Sequence, residues 1–148
     1  MLPKKILVPV DFGEASDRAV AYALSLARRL DAEVIVMYAY EIPVVGFPDG
    51  ALIATSDVAS RIVNGAQTAL AEVMRRNDTG VPLKTMLKQE APWRAILEVI
   101  EETGADLVVM GTHGRRGLPR ALLGSVAEKV VRTAPCPVLT VRSPEGTS

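Results

Sequence analysis

The chain is predicted to fold as a doubly wound α/β domain built on a five-stranded parallel sheet, and three observations lead there. Apolar runs alternate five times with segments of helical period. The runs carry too few polar residues to face water on either side, so helices must cover both faces, joined to the strands by right-handed crossovers. The run at residues 105–110 stops at Gly111, where a buried strand gives way to a loop. With 148 residues, the chain suits one domain that buries about two-thirds of its unfolded surface.

Residues 6–10 form the first strand. Residues 14–30 form a helix, with Ala15, Ala19, Ala23, Leu26 and Leu30 at helical spacing. The second strand spans 34–40. Pro43, Gly46, Pro48 and Gly50 then break regular structure before a long helix at 56–76. Residues 82–88 are more polar than the other runs, which predicts a third strand at a sheet edge. Pro92 suits the first turn of a helix at 92–103. Strands four and five follow at 107–110 and 138–141, with a helix at 125–133 between them. Residues 1–142 are thus expected to form the domain, and 143–148 a flexible polar tail.

Composition excludes several functions. Seventeen basic residues balance seventeen acidic ones, so there is no global electrostatic footprint for nucleic acid or an anionic membrane. The single Cys136 excludes an intramolecular disulfide and reads as a small buried apolar residue; no apolar run approaches the roughly eighteen residues of a membrane span. The apolar run at 6–10 is too short for the core of a signal peptide. A cytoplasmic protein is expected.

The most informative segment is Gly111-Thr112-His113-Gly114, followed by nine residues and then Gly124-Ser125. It lies between a strand and a helix that Ser125-Val126-Ala127-Glu128 opens with capping-box spacing. Glycines let backbone N–H groups approach an anion, and a helix N-terminus adds donors and about half a positive charge. The segment therefore reads as a phosphate cradle. It is not a Walker A loop, because Gly-Lys-Ser/Thr is absent; Gly111, Gly114 and Gly117 give GxxGxxG rather than the dinucleotide pattern. Ligands of such sheets bind at the carboxyl ends of the strands, where Asp11 and Gly111 stand if strands one and four are neighbours.

With these residues in view, the chain resembles the universal stress proteins, in particular their ATP-binding subgroup. The opening Ile6-Leu7-Val8-Pro9-Val10-Asp11, the segment from Gly104 to Gly114, and the closing run from Gly124 through Leu139 carry the resemblance. It implies strand order 3-2-1-4-5 and an adenine nucleotide alpha hydrolase-like fold. It also implies that Pro9, Val10 and Asp11 lie around adenine and ribose, with Ala39 lining the base pocket and Met110 and Gly111 supporting that side. Gly114, Gly124, Ser125 and Val126 would hold the triphosphate through backbone amides and the serine hydroxyl, with Arg115 and Arg116 close by, and Thr112 and His113 complete the implied ATP-binding set. The expected ligand is ATP with Mg2+. Gly13 departs from the serine common in relatives, and Glu90-Ala91-Pro92 replaces their Gly-x-Pro.

Several residues admit a second reading. Asp11 is also spaced as an N-cap to Glu14, although its place at a strand end favours ribose contact. Ser125 has the same two roles. His113, the only histidine, is neither a metal site nor a triad by itself and is expected to order the loop. Arg115, Arg116 and Arg120 suit phosphate, with one or two of them engaged. Trp93 packs the start of the third helix. No catalytic residue and no metal ligand is assigned. Phosphoryl chemistry needs a positioned acceptor and usually carboxylate-held Mg2+, and beyond Asp11 neither signature loop holds an acid. The leading reading is a nucleotide-dependent regulatory or stress-response module; the rival is a slow ATPase or nucleotidyl-transferring enzyme. The apolar fifth strand, at an edge in the 3-2-1-4-5 order, is expected to pair with its copy in a homodimer.

Overall fold

The computed structural model describes residues 2–42, 45–46, 48, 52–53, 56–112 and 123–142. The elements follow in the order β1 (Lys5–Pro9), α1 (Glu14–Leu30), β2 (Glu33–Tyr40), β3 (Val45–Gly46), β4 (Leu52–Ile53), α2 (Ser56–Arg76), β5 (Leu83–Gln89), α3 (Pro92–Thr103), β6 (Leu107–Gly111), α4 (Ser125–Thr133) and β7 (Val138–Val141). Five strands form one sheet in the order β5-β2-β1-β6-β7, every neighbouring pair parallel. Counted along the sheet strands alone, this is the expected 3-2-1-4-5. The polar β5 is an edge, as its composition predicts. A short antiparallel pair departs from the expected irregular structure: β3 lies within the segment rich in proline and glycine and β4 just after Gly50.

The side-chain period of two sorts the core into two layers. Ile6, Val8, Val10, Val34, Val36, Leu107 and Val109 point to one face, where Ala19, Val20, Ala23, Leu24 and Ala27 of α1 and Leu70 and Val73 of α2 cover them. Leu7, Ile35, Met37, Val108 and Met110 point to the other face, beneath Ala95, Ile96, Val99 and Ile100 of α3 and Ala127 and Val130 of α4. The winding direction accounts for the split. From β1 the chain moves through β2 to the β5 edge, then α3 carries it back across to β6 and onward to β7. Crossovers of one hand running in opposite directions place their helices on opposite faces. The reversal falls between β1 and β6, and there the strands diverge at their carboxyl ends.

The amino ends of the same strands are tied together. Asp106, just before β6, accepts hydrogen bonds at its carboxylate from the backbone N–H of Lys4 (3.0 Å) and of Lys5 (2.9 Å). Lys5 Nζ donates to the Thr103 carbonyl at 2.7 Å and lies 3.7 Å from Glu33 Oε1. Gly104 closes α3 with φ of 73°, a left-handed conformation that glycine adopts without steric cost, and its N–H bonds to Ile100 O at 2.9 Å.

Candidate functional site

At the carboxyl ends of β1, β2 and β6 lies a cavity of about 470 Å³, within the size range of small-molecule sites. Three elements approach it with their N-terminal ends: α1 brings Ser16, α3 brings Pro92 and Ile96, and α4 brings Ser125, Val126 and Ala127. Its floor is apolar, formed by Val10, Met37, Ala39, Ile96 and Met110. Polar side chains enter the lining at Asp11, Ser16, Tyr38, Thr112 and Ser125. This division suits a ligand with one flat apolar part and one strongly polar part.

The β1–α1 turn shapes one wall. Val10 N–H still bonds to Met37 O at 2.9 Å, which holds the end of β1 against β2. Phe12 then turns the chain with φ of 62°, a left-handed conformation uncommon for a bulky residue. Its ring packs on Tyr38 with centroids 4.7 Å apart. Asp11 Oδ1 accepts from Gly13 N–H at 2.9 Å and from Ser16 Oγ at 3.0 Å, so the carboxylate is held by both turn and helix. Asp11 does not cap α1: Gly13 occupies the N-cap position, with no side-chain cap. The Asp11-to-Glu14 spacing is therefore a turn around Asp11 rather than a capping box.

The opposite wall joins β6 to α4. Thr112, 3% exposed, donates its N–H to Val141 O at 3.0 Å, and its carbonyl accepts from Gly124 N–H at 2.6 Å. This pair brings Gly111-Thr112 and Gly124-Ser125 together, though eleven positions separate Thr112 from Gly124 in sequence. The capping box expected at Ser125 is not formed. Gly124 is the N-cap, Ser125 is the first helical residue, and Glu128 instead pairs with Arg132 at 2.8 Å. No side chain caps this helix start among the described residues, so its first amides retain their capacity to bind an anion.

Gly111 has a different reason for being glycine than anion approach. A Cβ there would lie 2.8 Å from Ala15 Cβ and 3.2 Å from the Ala15 backbone carbon. The missing side chain lets α1 sit directly against the end of β6.

Ten residues assigned from sequence line this one cavity: Pro9, Val10, Asp11, Ala39, Met110, Gly111, Thr112, Gly124, Ser125 and Val126. His113, Gly114, Arg115 and Arg116, like Arg120, lie outside the described residues. Six lining residues were missed: Ser16, Met37, Tyr38, Pro92, Ile96 and Ala127. Pro92 and Ile96 share a helix face at i, i+4 at the start of α3, a signal the sequence contains once the N-terminal ends of helices are known to converge on the site. Trp93, beside them, packs on the second core layer and lies under Lys129 Nζ, 3.8 Å from the ring centroid, thereby joining α3 to α4. Cys136 is partly buried, and burial pushes its thiol pKa up, in keeping with an inert packing residue. Among the described residues no group of three or more His, Cys, Asp or Glu could hold a metal ion, and no helix is long and apolar enough to cross a membrane.

The doubly wound sheet of order 3-2-1-4-5, with a cavity over its switch point, matches the adenine nucleotide alpha hydrolase-like fold of solved universal stress proteins. Within that class the chain belongs to the universal stress protein family, whose model matches residues 3–142. A universal stress protein of Methanocaldococcus jannaschii is 40% identical over 147 residues, covering 97% of this chain and 85% of the relative. Among solved structures, the universal stress protein UspA from Lactobacillus plantarum superposes with a TM-score of 0.78 at 27% identity, covering 94% of this chain and 97% of that one. A universal stress protein in complex with cAMP superposes with a TM-score of 0.71 at 26% identity, covering 96% and 98%.

Proposed function

We propose that this chain is an ATP-binding universal stress protein whose nucleotide occupancy regulates a response, with little or no turnover. The observation that carries the reading is the single cavity in which Asp11, Gly111-Thr112 and the uncapped start of α4 converge over an apolar floor. Adenine fits between Val10, Ala39 and Met110, ribose lies at Asp11, and the phosphates lie at the amides of Gly124, Ser125 and Val126, where helix dipole and N–H groups favour negative charge. Arg115 and Arg116 are proposed to add charge-assisted contacts to the phosphates. Mg2+, when bound with ATP, neutralises phosphate charge; the acidic side chain of the described rim is Asp11 alone, so the ion is carried mainly by the nucleotide. The relative in complex with cAMP supports an adenine ligand at this fold.

Thermal melting with ATP and with GTP tests the reading. At a hundredfold excess over its dissociation constant, ATP should stabilise the protein by about 2.7 kcal/mol, a shift of about 5 to 10 °C. Equal shifts with ATP and GTP, or none with either, would refute it.

The exposed edge of β7 supports a homodimer. Val138–Val141 carries no charge or proline, pairs on one side with β6, and ends the sheet on the other. Antiparallel pairing with a second copy across a two-fold axis would satisfy its outer N–H and C=O groups. Light scattering should give a dimer for the natural chain and a monomer for Thr140→Pro, which removes a ladder donor. A monomeric natural chain, or a variant that stays dimeric, counts against this pairing.

A further inference from the structure

Ser16 is a buried polar side chain, 4% exposed, at the cavity wall. Its Oγ accepts from Asp11 N–H at 3.3 Å and lies within donor distance of Asp11 Oδ1 (3.0 Å) and of Gly13 O (3.1 Å). Ser16 thus holds both the backbone and the carboxylate of one residue. That residue is the sole carboxylate among the described lining residues, and the turn after it passes through the left-handed Phe12. Such a turn persists only where its surroundings hold it.

A carboxylate with a fixed rotamer suits a ligand that offers hydroxyl donors at fixed positions, as the acid of dinucleotide-binding folds does toward ribose. We propose that Ser16 is a positioning residue that aims Asp11 at the vicinal 2′- and 3′-hydroxyls of the nucleotide, making the pocket selective for ribose over sugars that lack them. The proposal rests on the adenine nucleotide reading above and goes beyond it by assigning the sugar selectivity to a residue in α1. Loss of the Ser16 hydroxyl leaves the Gly13 N–H bond on Asp11 Oδ1 but removes the hold from α1, so the carboxylate is aimed less strictly and the loss falls on the hydroxyl contacts, sparing the base and phosphates.

Calorimetric titration of the full chain with ATP and with 2′,3′-dideoxy-ATP tests this. The natural protein should prefer ATP by about ten- to a hundredfold, the value of one hydrogen bond to a charged group. In Ser16→Ala the preference should fall several-fold through weaker ATP binding, with dideoxy-ATP affinity nearly unchanged. Asp11→Ala should abolish the preference, and adding Ser16→Ala to it should lose nothing further. If Ser16→Ala fails to fold, Ser16→Cys, which keeps the volume and weakens the hydrogen bond, should lower the preference partway. Equal losses for both ligands, or a preference unchanged from the natural protein, overturn the role given to Ser16 while leaving the nucleotide site standing. A natural protein that binds both ligands equally overturns it as well. Binding of neither ligand by the natural protein refutes the nucleotide reading itself.

Discussion

The two ends of the parallel sheet use similar residues for opposite purposes. At the amino ends, Asp106 gathers the backbone N–H groups of Lys4 and Lys5, Lys5 Nζ reaches Thr103 O, and Gly104 ends α3 in a left-handed turn. Every one of these groups finds its partner within the chain, so this end stabilises the fold. At the carboxyl ends, Asp11 is held by a turn and by Ser16, while the N-cap Gly124 leaves the first amides of α4 without a side-chain cap, and a cavity opens between them. The segment that begins at Gly104 runs along β6 from one end to the other. Gly104 and Asp106 belong to fold chemistry, and the cavity begins at Met110.

Four measurements would break or sharpen that contrast. The largest effect is expected at Gly124, whose φ of −63° and ψ of 159° are open to any residue, so that Gly124→Val acts through space in the cavity and not through backbone strain. ATP affinity should fall more than about a hundredfold, which is about 2.7 kcal/mol, with the melting temperature nearly unchanged. Calorimetry showing natural affinity in this variant would move the site away from α4.

Asp106→Ala should do the reverse. Removing the acceptor of the Lys4 and Lys5 amides should cost about 1.5 to 3 kcal/mol in denaturant unfolding while ATP affinity stays within twofold. A variant that loses affinity and keeps its stability would show that the two ends are coupled. Ser125→Ala is expected to be milder than Gly124→Val, about tenfold in ATP affinity, because one hydroxyl is removed and the backbone amides remain.

The smallest effect concerns Lys88 on β5, whose Nζ bonds to Glu102 of α3 at 2.7 Å. This hydrogen bond raises the Lys88 pKa above its ordinary value. A lysine raised in the folded state contributes stability that is complete below its unfolded value of about 10.4 and lost as pH rises through the folded value. Lys88→Met should therefore flatten the decline of stability above about pH 10 relative to the natural chain, without altering ATP affinity at neutral pH. An identical decline in both proteins would show that the pair contributes nothing in solution.

Much of this arrangement is legible in the sequence for local reasons. The bounds of α1, α3, α4 and β7 follow from the sequence alone, because helical period and Pro92 at a first turn act within a few residues. The polar character of β5 marks an edge, and the glycine pattern marks the loop between β6 and α4. Ten cavity residues were found because they cluster at strand ends and in that pattern.

Other features were decided only by distant parts of the chain. Capping-box spacing is present at both Asp11 and Ser125, and neither box forms. A side chain that can cap a helix can equally hold a turn or face a cavity, and the choice depends on what lies across from it. Gly111 reads locally as an anion-approach glycine, yet its lack of a side chain answers to Ala15, ninety-six positions earlier. Met37, Ile96 and Ala127 read as ordinary core residues, and only the convergence of β2, α3 and α4 on the switch point places them at the cavity. Local propensity and period are short-range properties of the backbone and are written in neighbouring residues. Which carboxylate, hydroxyl or glycine serves the site depends on contacts between segments far apart in the chain, and these exist only once the sheet has assembled.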